Sequence, residues 1–255
     1  MKGLHLVLAL SLVLFAAGAT CAAGYNSGGF EPATFSTGAL AGQDGWTGAG
    51  GGGGAAPVVV TAPDPVLGQQ AVRLAVGDVQ GDTSSMDHAI NPVAASSGAI
   101  VTVSYDIFRY APDSGKFAQN MWWWWWDAGE PTYGLQWDVA GAAGQTLPHG
   151  WNPGAGAAPT VFGAWANLTM VWDFSQMKAY SWYNGALVDN GIPITNVTQL
   201  TGWTINLGHE AASGTGGAVV WIDNFRIDVV PEPGSLLALA GGLVGFGGFV
   251  LRRRS

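Results

Sequence analysis

Five consecutive tryptophans, Trp122 to Trp126, are the residues of this 255-residue chain with the plainest capacity for a binding chemistry. On an extended strand, neighbours alternate sides, so Trp122, Trp124 and Trp126 share one face and Trp123 and Trp125 the other. Both sets cannot fill one core. Indole faces left in water stack on sugar rings, and Asp127 and Tyr133 nearby could bond sugar hydroxyls. The same pattern also fits a strand covered on both sides, by a loop or by a second copy of the chain.

Catalytic carboxylates are harder to find. Retaining glycoside hydrolysis needs two carboxyls about 5–5.5 Å apart, which alternate residues on one strand would supply. Between residues 24 and 230 the glutamates are Glu31, Glu130 and Glu210, and none stands in such a cluster. His88, His149 and His209 lack the spacing of a transition-metal site. The expectation is a non-catalytic domain, with a noncontiguous carboxylate site as the enzymatic alternative.

Asp223 poses a separate problem. The last strand reads as Val219, Trp221, Asp223, Phe225 and Ile227 on one apolar face, where an unpaired carboxylate is costly. Calcium could neutralise it, because hard cations take carboxylate and backbone oxygens. Arg73, Arg109 or a wet strand end could do so as well.

The elements that position these residues are strands. Val101, Val103, Tyr105 and Ile107 alternate with Thr102, Ser104 and Asp106, and Leu168, Met170, Trp172 and Phe174 with Thr169 and Asp173. Val72, Leu74 and Val76 alternate around Arg73, and Leu135, Trp137 and Val139 around Gln136 and Asp138. Asn184-Gly185 tolerates positive φ and predicts a type I′ hairpin. Glycine supplies 40 residues, without a collagen period, and the run Gly48 to Ala56 reads as a flexible loop. About ten short strands with glycine-rich turns and no helical period predict an all-β, antiparallel two-sheet jelly-roll sandwich.

Both ends carry targeting patterns. Lys2, an apolar run from Leu4 to Ala17 and small residues through Gly24 form a secretory signal, residues 1–23, whose removal takes the only cysteine, Cys21. At the other end, Pro231-Glu232-Pro233 precedes an apolar stretch from Ser235 to Leu251 and then Arg252, Arg253 and Arg254. Seventeen helical residues would span about 25 Å, enough for a thin bilayer core. Residues 24–230, the domain between, hold five basic and sixteen acidic residues, a net charge of −11. That excludes a nucleic-acid partner, which needs a surplus of Lys and Arg.

The tail 231–255 resembles the PEP-CTERM sorting signal. The resemblance implies recognition by exosortase near Pro231-Glu232-Pro233, passage through the inner membrane during sorting, and a final place at the cell surface or in the extracellular matrix. Gly29-Phe30-Glu31, Gly42-Gln43-Asp44-Gly45-Trp46 and Trp221-Ile222-Asp223-Asn224-Phe225 are similar to the opening and closing strands of concanavalin A-like, laminin-G-like sandwiches. Related jelly-roll binding modules pair an early Glu, here Glu31, with a closing Asp, here Asp223, at a structural calcium. Exopolysaccharide is the expected partner, and self-association in a biofilm or sheath the alternative. Intact mass of the native surface form should end near Pro231; retention of Arg254 would refute processing at the motif.

Overall fold

Alternating apolar and polar residues make strands almost everywhere that the computed structural model describes the chain, at residues 24–77, 79–110, 119–127, 130–140, 145–149, 161–194, 197–209 and 218–231. Strands β1 (Tyr25–Asn26), β2 (Gly38–Ala39), β3 (Trp46–Gly51), β4 (Ala55–Thr61), β5 (Gln70–Val76) and β6 (Thr83–Ala94) come first. Then follow β7 (Ile100–Arg109), β8 (Gln119–Asp127), β9 (Glu130–Ala140) and β10 (Gln145–His149). The series ends with β11 (Trp165–Asp173), β12 (Lys178–Tyr183), β13 (Ala186–Pro193), β14 (Gln199–His209) and β15 (Ala218–Val230). The 3-10 turns Gly28–Phe30 and Ala95–Ser97 are the helical elements among the described residues. No helix among those residues is long and apolar enough to cross a membrane.

The strands form two antiparallel sheets. One runs β13-β12-β11-β7-β15-β5-β4-β2, with β1 also on β15; the other runs β10-β9-β8-β14-β6-β3. Their facing sides share one core. Val101, Val103 and Tyr105 of β7, Leu168 and Met170 of β11, and Trp203, Ile205 and Leu207 of β14 are all buried in it. Trp172 and Trp203 meet edge to face across it, ring centres 4.8 Å apart. The predicted sandwich and its alternating strands are therefore present, as is the Asn184-Gly185 turn, with φ of +48° and +80°.

Two expectations need correction. Gly48 to Ala56 is not a loose loop: Gly48 to Gly51 belong to β3, Ala55 and Ala56 to β4, and Gly54 donates to the Gly51 carbonyl over 2.9 Å. These glycines allow close approach. A Cβ on Gly54 would overlap the Thr83 carbonyl, and one on Gly50 the Gly54 carbonyl. Glycine chosen for contact looks the same in sequence as glycine chosen for freedom.

The second correction concerns β15. Val220 and Ile222 are buried, but so are Phe225, Ile227 and Val229, while Trp221 is half-buried on the other side. The register against β7 slips between Asp223 and Arg226, and Asn224 takes a φ of +50°. This bulge reverses which parity faces inward, so Trp221 and Phe225 do not share a face.

The segment from Gly24 is pinned beside the end of β15. Tyr25 pairs with Ile227, lies against the His88 ring at 3.8 Å between centres, donates to Asp44 Oδ2 over 2.7 Å and accepts from Trp46 Nε1 over 2.7 Å.

Gly54→Ala separates the packed turn from a loose one by sign. A loose loop would gain about 0.4–1 kcal/mol from the lost chain entropy, whereas the observed contact predicts a loss of about 1–3 kcal/mol. Chemical denaturation of both proteins, with exposed Ala49→Ser as a neutral control, measures it.

Candidate functional site

Two arrangements gather the residues singled out in the sequence. The first surrounds the bulge of β15. Asp223 has no exposed surface. Its Oδ1 accepts the Asn224 N–H over 2.7 Å, and its Oδ2 is buried without a partner. Glu31, far away in sequence, arrives from the turn after β1; its Oε1 accepts the N–H groups of Gln69 at 2.8 Å and Gln70 at 3.3 Å. Both carboxyls border Gly68: a Cβ there would overlap Glu31 Oε1 and come within 3.7 Å of Asp223 Oδ2. Gly29 closes the other side, its would-be Cβ 3.3 Å from Asn224 Oδ1 and 3.5 Å from Asp223 Oδ1.

A third carboxylate supports this node. Asp106 Oδ2 accepts from Asn224 Nδ2 over 2.8 Å, and its Oδ1 accepts from Asn167 Nδ2 over 3.0 Å. Burial, with the charges of Glu31 and Asp106 adding to it, pushes the Asp223 carboxyl up to about 7, against a hydrogen bond from the Asn224 N–H that lowers it. No cation counters the shift. Arg73 is not among the groups acting on Asp223, and Arg109 is buried with the Tyr105 and Tyr183 phenols. Among the described residues no three His, Cys, Asp or Glu side chains converge as a metal cluster. A cation beside Gly68 would therefore draw on Glu31 and Asp223 and complete its shell with neutral oxygens, a donor set that suits calcium.

The second arrangement is the tryptophan strand, β8, in the middle of the six-stranded sheet. Its register sets Trp125 opposite Trp203 and Trp123 opposite Ile205 on β14, both buried. Trp122, Trp124 and Trp126 stand opposite Asn206, Thr204 and Gly202. On the other flank Trp122 is level with Gln136, Trp125 with Tyr133 and Asp127 with Glu130. One level thus runs Trp124, Thr204, Asp87 and Thr47 across four strands. Within it Thr204 Oγ1 donates to Asp87 Oδ1 over 2.6 Å. Burial raises the Asp87 carboxyl, and that hydrogen bond lowers it.

A third arrangement, an aromatic group on the nine-stranded sheet, had no signal in the residue pattern. Phe108 is met edge-on by Tyr110 at 5.2 Å, Trp165 at 5.5 Å and Trp221 at 5.9 Å between ring centres. Asp64 fastens it, its carbonyl accepting from Trp165 Nε1 over 3.0 Å. Reading Trp221 as inward hid this cluster. Pro231 ends the described chain, and Glu232, Pro233, Arg252, Arg253, Arg254, Glu210 and residues 1–23 lie outside the described residues.

No curated protein matches the chain. Among solved structures it resembles a sialidase, with a TM-score of 0.51 at 10% identity, over 75% of this chain and 17% of the sialidase. It likewise resembles peanut lectin in a structure with a 9mer peptide, with a TM-score of 0.51 at 10% identity, over 83% of this chain and 99% of the lectin. At such identities the likeness concerns the fold. Residues 229–254 match the PEP-CTERM protein-sorting motif, so the chain carries that sorting motif behind an all-β sandwich of lectin-like architecture.

Proposed function

We infer that this is an exported, exosortase-processed surface or matrix protein that contacts exopolysaccharide without catalysing a reaction on it. The observation that carries the reading is the register of β8. On β14 it gives Trp122, Trp124 and Trp126 the partners Asn206, Thr204 and Gly202, of which Thr204 is buried, while Trp123 and Trp125 stand opposite the buried apolar Ile205 and Trp203. Cross-strand partners share a face, and on that ground we assign the odd-numbered tryptophans to the core row and the even-numbered ones to the outer row. Asn206, Thr204, Asp87 and Gln136 lie at the levels of that outer row. Amide, hydroxyl and carboxyl groups beside flat apolar rings suit the two surfaces of a pyranose, its hydroxyl rim and its C–H face. By the same alternation Asp127, at the strand end, and Tyr133, opposite Trp125, fall on the side of the core row and not of the binding row. A calcium ion held by Glu31 and Asp223 would brace the sandwich rather than react.

Two variants separate the rows. Replacing Trp122, Trp124 and Trp126 together by Ala should leave the melting temperature nearly unchanged and abolish retention on a polysaccharide affinity gel. Replacing Trp123 and Trp125 should unfold the domain, since each buried Trp→Ala costs about 3–5 kcal/mol. Unfolding by both sets would refute the binding row. A triple variant that turns an oligomer into a monomer without touching retention would favour self-association, and reducing sugar released by the purified protein would refute the non-catalytic reading.

Asp223 supplies a test of calcium. Without calcium, a carboxyl titrating near 7 when folded and near 3.8 when unfolded holds its proton better in the native state, so native stability is lost as pH rises from about 4 to 7. Asp223→Asn removes that loss, and its melting temperature should exceed that of the wild type by a margin that grows from pH 4 to pH 8. Calcium at pH 8 should raise the wild type alone. An equal calcium response in both proteins would exclude Asp223 from any cation site.

A further inference from the structure

Both targeting segments leave the sandwich at one rim. Strand β15 is 13 residues long, about 40 Å, and Val230 at its end pairs with Ile100 at the start of β7. The antiparallel strand β1 runs the other way, with Tyr25 on Ile227 and Gly24 packed against Ile227 and Asp228. Residue 23, the last of the signal segment, thus precedes the chain at the rim where the sorting motif follows it. The far end of β15, Ala218, pairs with Val76 beside the β5–β6 turn that holds Val79.

The motif follows Val230 with no spacer. Four residues, Pro231 to Gly234, separate it from the apolar stretch beginning at Ser235. Five extended steps reach at most about 18 Å, and the headgroup layer takes up about 5–7 Å of that. A body about 40 Å long cannot stand clear of the bilayer on such a tether.

The chemistry of the rim agrees. Ser96, Ser97, Ser175 and Gln176 are exposed there, as are Ile100 at 36% and Val230 at 54% of their full surface. The two carboxylates nearest to it are already engaged. Asp173 is bonded by Ser175 Oγ over 2.5 Å and Gln176 Nε2 over 2.6 Å, and Asp228 is paired with Arg226 over 2.6 Å. Lys178 adds an exposed cation. In a domain of net charge −11, this end, where Lys178 and Arg226 balance Asp173 and Asp228, is net neutral and meets anionic lipid headgroups without the repulsion the rest of the surface would bring.

We propose that, in the unprocessed chain, the short tether holds this rim, formed by the ends of β15 and β1 with the Ala95–Ser97 and Phe174–Met177 turns, against the bilayer surface. The proposal rests on the reading of residues 235–251 as a membrane anchor. The β5–β6 turn then points away from the membrane, and the cut near the motif falls at the lipid surface.

Protein lacking residues 1–23, and with them Cys21, but keeping the tail through Ser255 and carrying one fluorophore on either Ser96→Cys or Val79→Cys, is reconstituted in vesicles of phosphatidylethanolamine and phosphatidylglycerol with nitroxide headgroups. Both labels occupy exposed sites. Flotation with the vesicles tests the anchor, and its absence would overturn the anchor and the docked rim together. With flotation, at least threefold stronger quenching at residue 96 than at residue 79 is expected. Equal quenching would overturn the docked rim while leaving the anchor standing. A 20-residue Gly/Ser spacer between Val230 and Pro231 should keep flotation and erase the difference; a difference that survives would overturn the tether as its cause.

Discussion

The buried carboxylate of Asp223, set at a kink in the central strand, is the constraint on which much of this sandwich depends. Strand β15 must bury Val220 and Ile222 before the kink and Phe225, Ile227 and Val229 after it. A regular strand cannot do both, because its inward side has one parity. The left-handed Asn224 changes the parity, and the change leaves Asp223 facing a polar node instead of the core. The turn bearing Gly29 and Glu31 and the loop bearing Gly68 then close over it, with Gly68 where a Cβ would overlap Glu31 Oε1 and Gly29 at a φ of +79° that L side chains rarely adopt. One backbone slip thus sets the core, the packing of two loops and the buried position of the Asp223 carboxyl.

How much of this could be read from the sequence depended on the distance over which each feature is encoded. Alternation in β7 and β11 is local, and so is the Asn184-Gly185 turn; both stood in plain view. The parity change at Asp223-Asn224 is also local, but a single irregular residue carries no periodic signal, so Trp221 and Phe225 were grouped together. Within Trp122 to Trp126 the two faces were evident, but their assignment needed Trp203 and Ile205, which reach β8 only through the register of β14. The closeness of Glu31 to Asp223 came from resemblance and not from spacing, for nothing near either residue announces the other.

The three surfaces differ in what they can meet. In the six-stranded sheet the register sets Trp122, Trp124 and Trp126 level with Asn206, Thr204 and Gly202, and Asp87 beyond Thr204. The bulge on the nine-stranded sheet holds the buried carboxyl of Asp223 between the turns that bear Gly29 and Gly68. The rim at Val230 is smooth, nearly uncharged and adjoins the sorting motif. A sandwich serves this division well, because its two sheets and its ends are decorated independently around one core.

The position of β15 in the strand order also governs when the domain can form. It lies between β7 and β5, so without it the nine-stranded sheet falls into a β13-β12-β11-β7 part and a β5-β4-β2 part with nothing to join them. It is also the last strand in chain order, and its partners on β5 and β1 are among the first. Such long-range pairing must await the arrival of the late segment and closes slowly. Until β15 is available, therefore, the larger sheet stays in two parts, and it closes only when the segment just before the sorting motif takes its place.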